Sequence, residues 1–353
     1  MSRRGEAGWG RFLPHSQDEP IPSRLAAAHA GRCVLITGAA GSIGSALATT
    51  LASAGVERLL LLDSCEAGLR DLQSRLGGAA VVLGDVADEA LLDSCFGRFR
   101  VDLIYHAAAW KHVPLLESHP FSAIANNALA THALARAAIR AGVPRLVLVS
   151  TDKAVNPRSI MGASKRIAEL AALSLGFSVI RLCNVIGSSG SVVPLFLQQI
   201  AQGGPVTVTD PQATRWFLTI SEAVDMILTR GVPGKISLPQ VDEPVRIADL
   251  ARFLMHSRGA AHLDIIYTGL RPGEKLTEEL TFRGERRVSA EGSLTLVETP
   301  ALSPAQLDAL VDELAACVRR HDLPALLQAI HAVVPEYVPS ALLRQTAAAV
   351  VPA

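Results

Sequence analysis

Residues Cys33–Gly44 read CVLITGAAGSIG. The apolar run Cys33 to Ile36 predicts a buried strand, and the Ala/Leu-rich stretch that follows, to about Ala54, predicts a helix. Between them stand Gly38, Gly41 and Gly44. Glycines at this spacing let the chain turn tightly, let backbone N–H groups approach a pyrophosphate, and let the helix pack close to the sheet. Ser42 and Ile43 sit inside the same turn. A second strand, Arg58 to Leu62, ends on Asp63, at about the 20-residue distance at which an acid meets a ribose 2′-OH. Asp63 either accepts that bond or caps a helix beginning at Glu66. No arginine immediately follows it, which favours NAD over NADP.

Strand and helix keep alternating. Val81–Leu83 predicts a third strand, with Gly84, Asp85 and Val86 at its end, where Asp85 meets an adenine edge or caps the next helix. Val101 to Tyr105 predicts a fourth strand, closed by His106 to His112, where the small Ala107 and Ala108 leave room for a cofactor against backbone. A long helix is expected from about Pro120 to Ala141, with the poor helix formers Asn126 and Asn127 inside it. Arg145–Val149 and Ser178–Leu182 complete six strands, and the economical fold is α/β: a Rossmann-like, doubly wound parallel sheet. The fifth strand delivers Ser150 to Lys165, STDKAVNPRSIMGASK. Its polar groups gather at a strand's carboxyl end, where open α/β sheets bind ligands, and Met161 and Lys165 share one helix face.

The 353 residues carry 33 basic and 33 acidic side chains, a balance that argues against a nucleic-acid or anionic-membrane surface while leaving local basic pockets open. Five scattered cysteines, Cys33, Cys65, Cys95, Cys183 and Cys317, suit reduced thiols in a cytosol and no structural metal. No apolar run approaches the roughly 20 residues that span a bilayer. A cytoplasmic protein with no membrane partner is therefore expected. Residues 1–30 read as a mobile arm with a short helix at Ile21–His29, 31–183 as the dinucleotide domain, 184–338 as a smaller substrate lobe with some chain crossing back, and 339–353 as an uninformative tail. In the second lobe, helices are expected at Pro194–Gln202, Ile247–Met255, Ser303–Val318 and Leu323–Val333, and strands at Val206–Val208 and Trp216–Leu218. The turn Gly269–Lys275 presents Arg271 and Lys275, suited to a phosphate or simply solvated.

Six stretches in order, VLITGAAGSIGS, YHAAAWKHVPLLE, STDKAVNPRSIMGASKR, NVIGSSGSVVPLF, TRWFLTISEA and GLRPGEKLTEEL, resemble the extended short-chain dehydrogenase/reductase family and its polysaccharide-biosynthesis branch, which includes UDP-N-acetylglucosamine 4,6-dehydratases. The resemblance implies that Gly38, Gly41, Ser42, Ile43, Gly44, Asp63, Asp85, Val86, Ala107, Ala108 and Lys165 hold NAD. Most members place a proton-removing tyrosine four residues before the lysine; here that residue is Met161, as in the retaining 4,6-dehydratases. The implied reaction oxidises C4 of a UDP-sugar, eliminates water across C5–C6, and returns the hydride to C6. Thr151 would orient the C4 hydroxyl, Lys153 would remove the C5 proton, and Asp152 would protonate the departing oxygen. Lys111, Asn127, Asn184, Arg215 and Arg271 would meet the sugar nucleotide, and a homo-oligomer would form through Pro120–Ala141 and Gly162–Leu175. The rival readings are a UDP-sugar C4 or C5 epimerase with the same cofactor, and a non-catalytic NAD-binding scaffold.

Overall fold

The computed structural model describes residues 28–239, 241, 243–291 and 294–350. The expected arm and most of the expected helix at Ile21–His29 lie outside the described residues. Six strands, β1 (Cys33–Thr37), β2 (Arg58–Asp63), β3 (Ala80–Leu83), β4 (Leu103–His106), β5 (Leu146–Thr151) and β6 (Ser178–Leu182), form a parallel array in the order β3-β2-β1-β4-β5-β6. The order reverses between β1 and β4, which puts a crevice at their carboxyl ends. The helices between them are α1 (Ser42–Ala52), α2 (Glu66–Leu76), α3 (Glu89–Arg98), α4 (Val113–Glu117), α5 (Pro120–Ala123), α6 (Ala130–Arg140) and α7 (Ile160–Ser174). Alternate strand residues fill opposite sides of the sheet: Val34, Ile36 and Leu61 enter one apolar cluster, and Leu35, Leu60 and Leu62 the other. This is the near-continuous apolar strand pattern of a sheet covered on both faces.

Asp85 caps no helix: its carboxylate takes the N–H of Ala87 within the turn, and Asp88 caps α3 through the N–H of Leu91. The long helix expected over Pro120–Ala141 is interrupted, because α5 and α6 are joined by a π-helical stretch, Ile124–Leu129, centred on Asn126 and Asn127.

Beyond β6 come β7 (Asn184–Val185), α8 (Val192–Ala201), β8 (Val206–Val208), β9 (Thr214–Arg215), β10 (Phe217–Leu218), α9 (Ile220–Thr229), β11 (Ile236–Pro239), β12 (Val245–Arg246), α10 (Ile247–Ser257), β13 (Ile265–Tyr267), β14 (Arg286–Glu291) and β15 (Leu294–Glu298). The strand expected at Trp216–Leu218 is β10, one residue shorter, which pairs with β7, and a separate short strand, β9, precedes it and pairs with β12. The chain crosses back twice. Met226 and Ile227 of α9 join the core that holds Val34 and Leu47, and β11 extends the main sheet beside β6, followed by antiparallel β15 and β14. A separate apolar cluster, including Phe196, Val206, Leu250 and Leu254, holds the small lobe.

Three last helices, α11 (Pro304–Arg320), α12 (Leu323–Val333) and α13 (Ala341–Val350), lie over α7 and the π-helical stretch. The tail thus forms a helix, with Leu343 buried. Leu310, Leu314, Leu326 and Ile330 pack there against Ile124, Ala128, Met161 and Ile167. Full burial of such a side chain contributes ~1.5–3 kcal/mol. Ile124, Ala128 and Ile167, within the helices expected to form an oligomer, are covered by the chain's own C-terminal helices.

Candidate active site

The glycine loop is fixed by contacts that leave no room for side chains. A Cβ on Gly38 would stand 2.5 Å from the Ala108 backbone nitrogen, and one on Gly44 would stand 2.1 Å from the Gly38 carbonyl oxygen. The Ala107 N–H donates to Thr37 at 3.0 Å, so the end of β4 closes against the loop. Asp63 does not cap α2. Its two carboxylate oxygens take the N–H groups of Ala40 and Cys65, each at 2.9 Å, which holds the glycine loop and leaves each oxygen a second lone pair.

Below the loop, His106 is wholly buried and bridges Thr37 (2.6 Å) and Thr131 (2.8 Å) through its two ring nitrogens. Burial first, then the nearby Lys165 ammonium, push its pKa down to about 3, so it stays neutral. Asn127 is also wholly buried: its side-chain oxygen takes the N–H of Trp110, and its amide donates to the Trp110 carbonyl and to Ser164. The structure therefore places Asn127 on the backbone of the loop after β4 rather than among cleft-lining groups.

At the carboxyl end of β5, Asp152 is 0% exposed. Its Oδ1 accepts from Thr151 Oγ and Lys153 Nζ, both at 2.9 Å, while its Oδ2 is buried without a partner among the described residues. Burial, set against the Lys153 charge, raises the Asp152 pKa. Lys153 Nζ also donates to Asn184 at 2.8 Å and lies 3.7 Å from Glu278. Burial opposes its charge, but Asp152 and then Glu278 outweigh that, and the Lys153 pKa is raised. Burial likewise works against the Glu278 charge, yet Lys153, Lys275 and Arg215 hold its pKa below the usual carboxylate range. Sequence reasoning passed over Glu278, which stands 125 residues after Lys153 in the stretch KLTEEL and meets it only through the fold.

Met161 is 3% exposed and packs in the apolar cluster under the C-terminal helices. On the same helix, Lys165 Nζ donates to the Val149 carbonyl at 2.8 Å, and burial lowers its pKa to about 8, with Glu169 offsetting part of the drop.

Lys153, Asn184 and Glu278 open onto a cleft of about 370 Å³ between the two lobes. Five cationic side chains, Lys111, Lys153, Arg215, Arg271 and Lys275, line it against two acids, Glu274 and Glu278. Burial lowers the Lys111 pKa. Arg215 spends its guanidinium on the carbonyls of Thr214, Lys275 and Leu276, tying β9 to the turn before Glu278. Arg271 is forked onto Glu274 and 59% exposed, so it stands at the mouth. A cleft with this surplus of positive charge suits an anionic ligand.

A sequence pattern described as "Polysaccharide biosynthesis protein" matches residues 34–298. The probable polysaccharide biosynthesis protein EpsC of Bacillus subtilis is 40% identical over 273 residues, 72% of this chain and 46% of its own length. The chain thus spans about half the length of that curated relative. UDP-glucose 4-epimerase of Rickettsia canadensis is 33% identical over 267 residues, covering 70% of this chain and 77% of the relative. Among solved structures, DesIV, a dTDP-glucose 4,6-dehydratase from Streptomyces venezuelae with NAD and TYD bound, superposes with a TM-score of 0.63 at 25% identity, over 70% of this chain and 87% of that one. No described helix is long and apolar enough to cross a membrane. By the match over residues 34–298, the chain belongs to the polysaccharide biosynthesis protein family.

Proposed function

We propose that the protein is an NAD-dependent UDP-sugar 4,6-dehydratase that retains the C5 configuration, with UDP-N-acetylglucosamine as the substrate to test first. The observation that carries the reading is the unpartnered Oδ2 of Asp152, buried beside the Lys153 ammonium that reaches the cleft. A buried carboxyl oxygen with no partner is costly unless a ligand supplies one. An acid next to an amine is what removal of water needs, whereas moving a hydride on and off C4 does not require the pair. The cationic cleft accommodates a nucleoside diphosphate, and the bare backbone at Gly38 and Gly44 fits a pyrophosphate.

NAD, when bound, would accept a hydride from C4 and give it back at C6. The chain's own groups do the rest. Thr151, hydrogen-bonded to Asp152, orients the C4 hydroxyl, whose proton passes to the Asp152 carboxylate because Met161 has no ionisable group. The C4 ketone acidifies the C5 proton, which the amine form of Lys153 removes. Asp152 then protonates the C6 oxygen as its bond to carbon breaks, and water leaves. Lys153 returns a proton to C5. Asn184 and Glu278 fix the Lys153 nitrogen between them. His106 and Asn127 fix the glycine loop and the loop after β4 from beneath.

The test is mass spectrometry of UDP-N-acetylglucosamine incubated with the protein and NAD in heavy water. Loss of one water with one deuterium gained supports the dehydratase. Unchanged composition with a shifted retention time identifies an epimerase, the activity named for the Rickettsia relative. No change with any UDP-sugar, while NAD still binds, leaves the scaffold reading.

A further inference from the structure

The loop Gly187–Ser191 follows β7 and belongs by sequence to the substrate lobe, yet it is fastened to the glycine loop. The Ser189 N–H donates to Ser42 Oγ at 2.9 Å, and Ser42 Oγ donates to Ser189 Oγ at 3.1 Å. Ser42 is the first residue of α1, directly after Gly41. One residue further on, Gly190 has φ +68°, and a Cβ there would stand 2.5 Å from the His112 ring. Gly190, Ser191 and Val192 then line the same cleft wall as Lys111, His112 and Lys153. The Ser191 Oγ is buried there and has no partner among the described residues. One short segment thus touches the dinucleotide loop on one side and the cationic cleft on the other.

We propose that Gly187–Ser191 is a latch coupling the two ligand sites: a nucleoside diphosphate in the cleft holds the loop shut on Ser42 and so holds the dinucleotide in. The inference rests on the proposed function for the identity of the two ligands. Among the described residues, only two exposed hydrogen bonds to one hydroxyl hold the loop on the glycine turn, so the closed and open loop are close enough in free energy for a ligand to shift the balance. A ligand packed against Gly190 to Val192 favours the closed form, and linkage requires the effect to be mutual. An internal redox cycle gains from this, since the cofactor is never exchanged while substrate is bound.

The experiment measures the equilibrium affinity of the protein for NAD with and without saturating UDP, and for UDP with and without saturating NAD. The expected result is a tightening of about tenfold, equal in both directions. Gly187→Val, which puts a branched side chain at the loop's positive-φ turn away from the cleft lining, and Ser189→Pro, which removes the N–H to Ser42, should each bring the factor to one while both ligands still bind. Either variant suffices if the other fails to fold. The latch is overturned if both ligands bind the parent with no mutual effect, or if the effect survives in a folded variant. UDP failing to bind at all would bring down the proposed function and the latch together, and the separate UDP isotherm distinguishes that case.

Discussion

Two buried ion clusters lie one above the other along α7, and they differ in how completely they are satisfied. In the lower one, Glu169 takes Ser150 and Arg181 on one oxygen and Arg181 and Arg166 on the other. Glu285 takes Arg181 on both oxygens and the Phe282 N–H on one. Arg166 adds Thr299, an ion pair to Glu336 at 3.4 Å and the Phe282 ring beneath its guanidinium at 5.0 Å. Every carboxylate oxygen of Glu169 and Glu285 is used. In the upper cluster, Asp152 keeps one oxygen empty, and Lys153 is shared between two acids and opens to the cleft. Similar charges therefore give different outcomes: both carboxylates of Glu169 and Glu285 are fully used in fastening α7 and β6 to the C-terminal segments, whereas Asp152 keeps one oxygen without a partner among the described residues, beside a lysine that reaches the cleft.

Exchanging one charge in each cluster is the strongest way to break that comparison. Asp152→Asn should lower turnover by ~10²–10⁴-fold while the thermal midpoint and NAD affinity hold; normal turnover would remove Asp152 from the chemistry. Arg181→Met should instead cost ~3–5 kcal/mol of stability, read as a fall in the urea midpoint, because it leaves Glu169 and Glu285 buried without their shared cation. An unchanged midpoint would mean that the lower cluster fastens nothing.

Lys165 sharpens the contrast from a third position. Its pKa falls from 10.5 to about 8, and at ~1.4 kcal/mol per unit the folded state carries a penalty on the order of 3 kcal/mol for keeping it charged. The folded chain binds fewer protons than the unfolded one between those values, so this contribution to stability rises with pH from about 8 to 10.5 and the full penalty applies below 8. Lys165→Met should accordingly be more stable than the parent at pH 7, with the gain vanishing towards pH 10.5, and should bind NAD poorly. A variant less stable at pH 7 would contradict this. The smallest effect concerns Lys153. Its pKa lies above the ordinary value, so its amine form is scarce at neutral pH and grows about tenfold per pH unit. Turnover limited by C5 proton removal should rise with pH on that slope between 7 and 9, and a flat profile of exchange at C5 in heavy water would assign the base elsewhere.

The legible parts of the molecule were those whose signals are local. The glycine loop, the six parallel strands and the STDK turn each carry their pattern within about a dozen residues, and alternation then fixes the topology. Asn126 and Asn127 drew notice as poor helix formers, but a π-helical turn depends on a clamp to Trp110 that lies 17 residues from Asn127. No strand was expected at β14, where Arg286, Arg287 and Glu291 break any apolar run. Glu169, Arg181 and Glu285 look like ordinary helix, strand and loop charges, and only a fold that joins residues 104 apart makes them one network. Asn127 and Arg215 were placed by resemblance next to the ligand; Arg215 lines the cleft with its guanidinium held by backbone carbonyls, whereas Asn127 clamps Trp110 and Ser164 and is not among the cleft-lining residues.

The C-terminal helices have a practical consequence for anyone who would trim this chain. The family pattern ends at residue 298, and α11 begins at Pro304. A fragment cut to the boundaries of evolutionary resemblance would uncover the apolar back of α7, the helix that carries Met161 and Lys165, and exposed patches of that kind drive aggregation. The matched stretch and the packed unit therefore differ in length, because α11, α12 and α13 lie beyond residue 298 yet cover α7.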